Sequence, residues 1–180
     1  SMNQTVRVWD PLVRLFHWSL AVAFFANYFV TEEGEGWHRW IGYYAVAWIC
    51  IRLVWGFVGQ GAARWSDCWP SPARLRAHLT ALSQGRDVHR LGHSALGALV
   101  MMLMMTAMFA LGVTGYMMEE VDMFFGEEWL EEAHELIANG LAGLVAFHLL
   151  AAAIESLRLR ENLPLSMITG RRRPLPEQGD

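Results

Sequence analysis

The sequence predicts an all-α integral membrane protein, a four-helix bundle with both termini in the cytoplasm. Three observations carry that expectation. Four stretches are long and apolar enough to cross a bilayer, which takes roughly 20 mostly apolar residues. The stretch from Ala95 to Gly115 has no charge and no polar helical face, which a soluble bundle would need. Basic and acidic residues are sorted between alternating connections. Composition agrees: of 180 residues, 54% are hydrophobic and 18% charged, where soluble domains sit near a quarter charged. Nine tryptophans add to this, since Trp favours the membrane–water interface.

The expected spans are about 11–30, 38–58, 91–118 and 134–157. The first is not a cleaved signal peptide, because no small-residue cleavage site precedes Thr31-Glu32-Glu33. Ser1 ahead of Met2 reads as a remnant of tag cleavage. Residues 2–170 are expected to form one transmembrane domain, and 171–180 a disordered cytoplasmic tail. No internal repeat is present.

Orientation follows from arginine, since the chain has no lysine. The N-terminus carries Arg7 and Arg14. Arg64, Arg74, Arg76, Arg86 and Arg90 lie between the second and third, and Arg158, Arg160, Arg171, Arg172 and Arg173 follow the fourth. With Arg52, 13 of the 14 arginines lie on or near one side. The positive-inside rule makes that side cytoplasmic. The opposite side carries Glu32, Glu33, Glu35, Glu119, Glu120, Asp122, Glu127, Glu128, Glu131, Glu132 and Glu135 against Arg39 alone, a sum of about −10. Between the second and third spans, Leu75, Leu79 and Leu82 share one face of a short stretch starting at Pro72. It is expected to be an interfacial helix with arginines near lipid head groups.

Neither CxxC nor CxxCH occurs, so covalently attached haem is not expected. Cys50 is expected in core packing and Cys68 in a cytoplasmic loop, with no disulfide between them.

The seven histidines are the chemistry-bearing residues, because ionisable groups in spans are costly. His17 lies near the inner end of the first span, and His38 opens the second at the outer side. His134 and His148 share the fourth. Fourteen residues of helix make roughly 21 Å and return to nearly the same face. That is too far for one metal ion, whose bonds are about 2 Å, and suits two sites at two depths. Matching depths pairs His17 with His148 and His38 with His134. Two imidazoles on one haem iron leave no open position, an arrangement for electron transfer. Two haems b are therefore expected. Arg14 and Arg52 are candidate propionate partners for the inner haem and Arg39 for the outer. His93 is expected in a structural or propionate-binding role, and His78 and His89 in solvent. Gly97, Gly112, Gly115, Gly140 and Gly143 would admit a flat macrocycle or close helix packing. The methionines from Met101 to Met108 read as core filler.

Several segments together resemble the bacterial cytochrome b561 family, which is similar to the b-type cytochrome subunit of nickel-iron hydrogenases. They are Val8-Trp-Asp-Pro-Leu-Val-Arg-Leu-Phe-His17-Trp, His38-Arg-Trp-Ile-Gly-Tyr, Arg52-Leu-Val-Trp-Gly-Phe-Val-Gly, Gly92-His-Ser-Ala-Leu-Gly-Ala-Leu and Glu161-Asn-Leu-Pro-Leu-Ser-Met-Ile-Thr-Gly. The resemblance touches every span. It implies a four-helix bundle with two haems b, ligated from the first, second and fourth helices. One departure is visible: Gly92-His93-Ser94-Ala95 stands where the family usually has Gly-His-Asn-Pro.

The function expected is transmembrane electron transfer in the respiratory chain of a bacterial inner membrane. The resemblance implies exchange with ubiquinone or menaquinone. The acidic outer side suits a basic periplasmic c-type cytochrome or another redox protein. No nucleic-acid partner is expected. Two alternatives stand. One is a superoxide oxidase passing electrons to quinone, ranked lower because negative potential repels an anionic substrate. The other is the membrane-anchor cytochrome subunit of a hydrogenase or dehydrogenase.

Overall fold

The computed structural model describes residues 4–86 and 90–175, and the fold is 76% helical. Seven α-helices occur among the described residues: α1 (Pro11–Phe29), α2 (Gly36–Val58), α3 (Trp65–Cys68), α4 (Pro72–Ser83), α5 (Ala95–Glu120), α6 (Glu128–Leu159) and α7 (Leu163–Thr169). Two short strands, β1 (Val6–Arg7) and β2 (Arg171–Arg172), pair antiparallel with Val6 opposite Arg172. The helices α1, α2, α5 and α6 are the four with the length and apolarity to cross a membrane. Their large apolar side chains are widely exposed, among them Val22, Phe57, Leu150 and Leu157. That pattern belongs to helices whose solvent is lipid.

Local chemistry explains where these helices begin. Asp10 caps α1, its Oδ1 accepting from the Val13 amide at 2.8 Å, and Pro11 takes the first helical position, where a missing N–H costs nothing. Ser94 starts α5, its Oγ accepting from the Gly97 amide at 3.1 Å. A β-carbon on Gly97 would lie 3.0 Å from that oxygen, so Gly97 makes room for the cap. Ser94 also answers the departure from the resembled motif, since serine and asparagine cap equally well. The Nδ1 of His78, on α4, accepts from the Leu96 amide at 3.4 Å.

The spans match the expected positions, with two revised boundaries. The third begins at Ala95 rather than 91, because Ser94 is its cap. The fourth begins at Glu128 rather than 134. Glu128 and Glu131 occupy its first turn, where carboxylates favour the helix dipole although they lower hydropathy.

The chain divides into two compact units. The first comprises Ser1–Arg14, Val54–Met101 and His148–Asp180. Its core is Trp9, Val13 and Ala63, with Val8, Trp55, Ala62 and Met167 packed against them. Asp10 Oδ2 accepts from Trp55 Nε1 at 2.9 Å, so the residue that caps α1 also fixes this indole. Asn162 caps α7, accepting from the Leu165 amide at 3.0 Å. Gly170 ends α7 at φ +79°, and its carbonyl accepts from both Val8 (2.8 Å) and Trp9 (3.1 Å). Arg172 is 5% exposed. It pairs with Glu161 at 3.2 Å and donates to the carbonyls of Arg90 and Leu91 at 2.6 and 3.0 Å.

A β-carbon at Gly170 would lie 2.6 Å from the Trp9 carbonyl oxygen, a backbone atom with no freedom to retreat. The Gly170→Ala variant is expected to lose about 1–3 kcal/mol from the left-handed backbone alone. Thermal unfolding followed by circular dichroism in detergent should show its midpoint several degrees lower.

The second unit comprises Leu15–Leu53 and Met102–Phe147. A β-carbon on Gly112 would come within 2.2 Å of Val46 Cγ2, so this glycine lets α5 approach α2. Tyr28 donates to Asn139 Oδ1 at 2.8 Å, joining α1 to α6.

Three expectations are corrected. His78 is buried, not solvated, because its ring serves the start of α5. Cys50 is exposed on α2 rather than packed in a core, a position that a small apolar thiol tolerates in lipid. Arg171 and Arg172 are ordered in β2, held by the β1 ladder and the buried Glu161, where a disordered tail was expected to begin. His89 and residues 176–180 lie outside the described residues.

Candidate functional site

The second unit contains a cavity of about 470 Å³ lined by α1, α2, α5 and α6, within the range of cofactor pockets. Its walls are apolar, with Phe24, Ile41, Met108, Leu111 and Leu141 among them. His38 of α2 and His134 of α6 both line it, their ring centroids 6.3 Å apart and their planes at 59°. Neither ring is free to turn. His134 Nδ1 lies 2.7 Å from Thr114 Oγ1 on α5. His38 Nδ1 lies 3.0 Å from Thr31 Oγ1, which follows α1. Asn27 completes this second contact, its Oδ1 accepting from Thr31 at 3.0 Å and its Nδ2 donating to the His38 carbonyl at 2.9 Å.

The spacing fits one metal centre held between two imidazoles. A metal–nitrogen bond of about 2 Å, with roughly 1.1 Å from nitrogen to ring centre, separates opposed centroids by about 6.2 Å. Tyr43 also lines the cavity, and its buried hydroxyl has no hydrogen-bond partner among the described residues. Gly115 lies beside His134, where a β-carbon would sit 3.6 Å from Cε1. At the rim, Arg39 pairs with Glu119 at 3.8 Å, and Glu33, Glu35 and Glu131 share that rim. Among the described residues, Arg39 is the one arginine lining the cavity, and it could pair with an anionic group of a cofactor. A flat, largely apolar macrocycle with a metal at its centre fits this donor set.

His17 is half-buried on α1, its ring edge-on to Trp18 at 4.8 Å. His148 is half-buried on α6. Arg52 is the most deeply buried charged residue, 1% exposed, on α2. Arg14 donates to the Ile168 carbonyl at 2.8 Å, placing a cation at the C-terminal end of α7, where it favours the helix dipole. His93 lies edge-on to Trp9 at 4.8 Å. Among the described residues, no three His, Cys, Asp or Glu side chains converge as ligands for a lone metal ion.

A family model described as prokaryotic cytochrome b561 matches residues 8–170. The chain belongs to the prokaryotic cytochrome b561 family. It is thus a multi-pass bacterial membrane protein that binds haem b and transfers electrons. No curated protein and no solved structure matches it significantly.

Within this cytochrome b561, sequence reasoning missed Asn27, Thr31, Tyr43 and Thr114. A weak signal existed. Polar side chains inside or at the edge of apolar helices need partners, and Asn27 and Thr31 precede His38 by 11 and 7 residues.

Proposed function

We propose that the chain carries electrons across the bacterial cytoplasmic membrane, between the quinone pool and a basic periplasmic redox protein such as a c-type cytochrome. His38 and His134 would hold one haem b, and His17 and His148 a second. The observation that carries this reading is the pair of histidine rings set across one cavity at the spacing of a single metal centre. His134 and His148 are 14 residues apart on α6, a rise of about 21 Å, which supports two centres at two depths.

Haem supplies a one-electron iron couple when bound. The chain's own residues supply the rest. Two imidazoles would hold the haem iron, and an iron so held suits electron transfer better than oxygen binding. The apolar walls keep water from the site. Arg39 would offset a propionate charge. Orientation rests on charge. The first unit carries twelve arginines against seven acidic residues, and the second carries two against eleven. Both termini would then be cytoplasmic and the acidic rim periplasmic. Eleven exposed carboxylates on that side oppose approach of superoxide and favour a cationic partner.

The test is a vesicle assay. Protein reconstituted with quinol in the membrane should reduce a basic c-type cytochrome added outside, in the fraction of molecules with the acidic rim outward. No reduction above protein-free vesicles would overturn the proposal.

A further inference from the structure

We infer that Thr31 and Thr114 are positioning residues that hold His38 and His134 as Nδ1–H tautomers, so that Nε2 is the ligating nitrogen and each imidazole is a strengthened donor to iron. The inference rests on the reading that these two histidines hold a haem. The argument starts from what each hydroxyl can do. A threonine has one hydrogen to give and lone pairs to accept with.

Thr114 Oγ1 lies 2.9 Å from the Ala110 carbonyl and 3.2 Å from the Leu111 carbonyl. Carbonyl oxygens only accept, so they take the hydroxyl hydrogen. The 2.7 Å contact to His134 Nδ1 is then satisfied only if that nitrogen carries a proton and donates. A bare Nδ1 would have to draw the hydroxyl hydrogen away from both carbonyls, leaving Thr114 Oγ1 lone pairs facing them at 2.9 and 3.2 Å.

Thr31 repeats the logic with different parts. Its hydrogen goes to Asn27 Oδ1 at 3.0 Å. The orientation of the Asn27 amide is fixed in turn, because its Nδ2 donates to the His38 carbonyl at 2.9 Å. Flipping it would set two oxygens against each other. Thr31 must therefore accept from His38 Nδ1–H at 3.0 Å. Two unrelated networks, one from the end of α1 and one within α5, arrive at the same tautomer on two histidines that line one cavity.

A hydrogen bond accepted from the far N–H raises the basicity of a metal-bound imidazole and fixes its ring plane, and its loss typically costs about 10–100-fold. A more basic ligand stabilises ferric over ferrous iron and so lowers the potential of the centre. Thr114→Val keeps the shape of the side chain and removes the hydroxyl, so the potential should rise.

The experiment is a redox titration of the haem-loaded, detergent-purified protein with low-temperature electron paramagnetic resonance of the ferric form. It compares Thr114→Val, Thr31→Val, Thr114→Ser and Thr31→Ser. The centre in question is the one absent from His134→Ala. Each valine variant should raise its midpoint by about a tenfold change in the oxidised-to-reduced ratio, which is 59 mV for one electron, and shift its ferric signal. The other centre should stay in place, and each serine variant should restore the parent values. Loss of that haem from the valine variant, with retention by the serine variant, supports the inference equally, because only the hydroxyl separates their effects. Full haem content with unchanged potential and spectrum in both valine variants overturns it, as does a serine variant shifted as far as its valine counterpart. Haem fully retained by His38→Ala and His134→Ala would instead defeat the underlying ligand assignment.

Discussion

His38→Ala and His134→Ala should each reduce the haem content from two to one per chain in a pyridine haemochrome assay of the detergent-purified protein. His17→Ala and His148→Ala should remove the other haem. The expectation comes from the donor set. With the two rings 6.3 Å apart in the lining of one cavity, each would supply one of the two ligands to the iron. The described residues lining that cavity offer no third imidazole, thiol or thioether beyond Met108 and Met118. Removing either ring leaves an iron bound on one side in a pocket otherwise built for apolar contact. Because the two ligands act as a unit, the double variant His38→Ala/His134→Ala should lose no more haem than either single variant. His38→Ala/His148→Ala, drawn from both pairs, should lose nearly all of it. Residues that act together are non-additive in this way. Haem retained at two per chain by all four single variants would mean that the ligands lie elsewhere.

Much of this arrangement was legible in the sequence, and the reason is the bilayer. A membrane demands long uninterrupted helices with internally satisfied backbones, so hydropathy located all four spans. The depth of a histidine along a helix follows from its number, at about 1.5 Å per residue. That is why pairing by depth set His38 beside His134 before any coordinates did. Capping residues stand where helices begin, at Asp10-Pro11, Ser94 and Asn162, but hydropathy alone does not mark them, and it set the third span four residues early. The first turn of α6 was hidden because Glu128, Glu131 and Glu132 lower hydropathy while favouring a helix start.

What the sequence concealed depends on rotation and on long-range contact. Thr114 is an ordinary residue of an apolar helix until α5 is turned to set its hydroxyl 2.7 Å from a histidine twenty residues away. His78 sits in a polar stretch and reads as solvated. Only the return of the chain at Leu96 gives its ring a donor and buries it. Arg171 and Arg172 read as tail because most of what orders them is not local. Val6, Arg7 and the Arg90 carbonyl are far away in sequence, and Glu161 lies beyond the intervening α7. Arg14 shows the same limit from the other side. Its contact with the Ile168 carbonyl, 154 residues away, has no local signal.

Electron transfer from the chemically reduced protein to a basic c-type cytochrome should slow at least tenfold between about 10 and 150 mM salt. The eleven carboxylates of the second unit are all exposed and face only two arginines in that unit, one of them, Arg52, buried. Their field reaches about 30 Å at 0.01 M salt and about 8 Å at 0.15 M. Steering of this kind lifts association from about 10⁵–10⁶ to as much as 10⁸–10⁹ M⁻¹s⁻¹ at low salt. Glu128→Gln, Glu132→Gln and Glu135→Gln together remove three charges on the first two turns of α6 without touching the cavity lining. That triple variant should slow the reaction at low salt and flatten the salt profile, leaving the rate at 150 mM nearly unchanged. Ferricyanide, a small anionic oxidant, should respond in the opposite sense and speed up as salt is added. A flat profile for the basic cytochrome would remove the argument from charge for a cationic partner. A rate that rises with salt would invert it, and would favour an anionic substrate approaching the same rim.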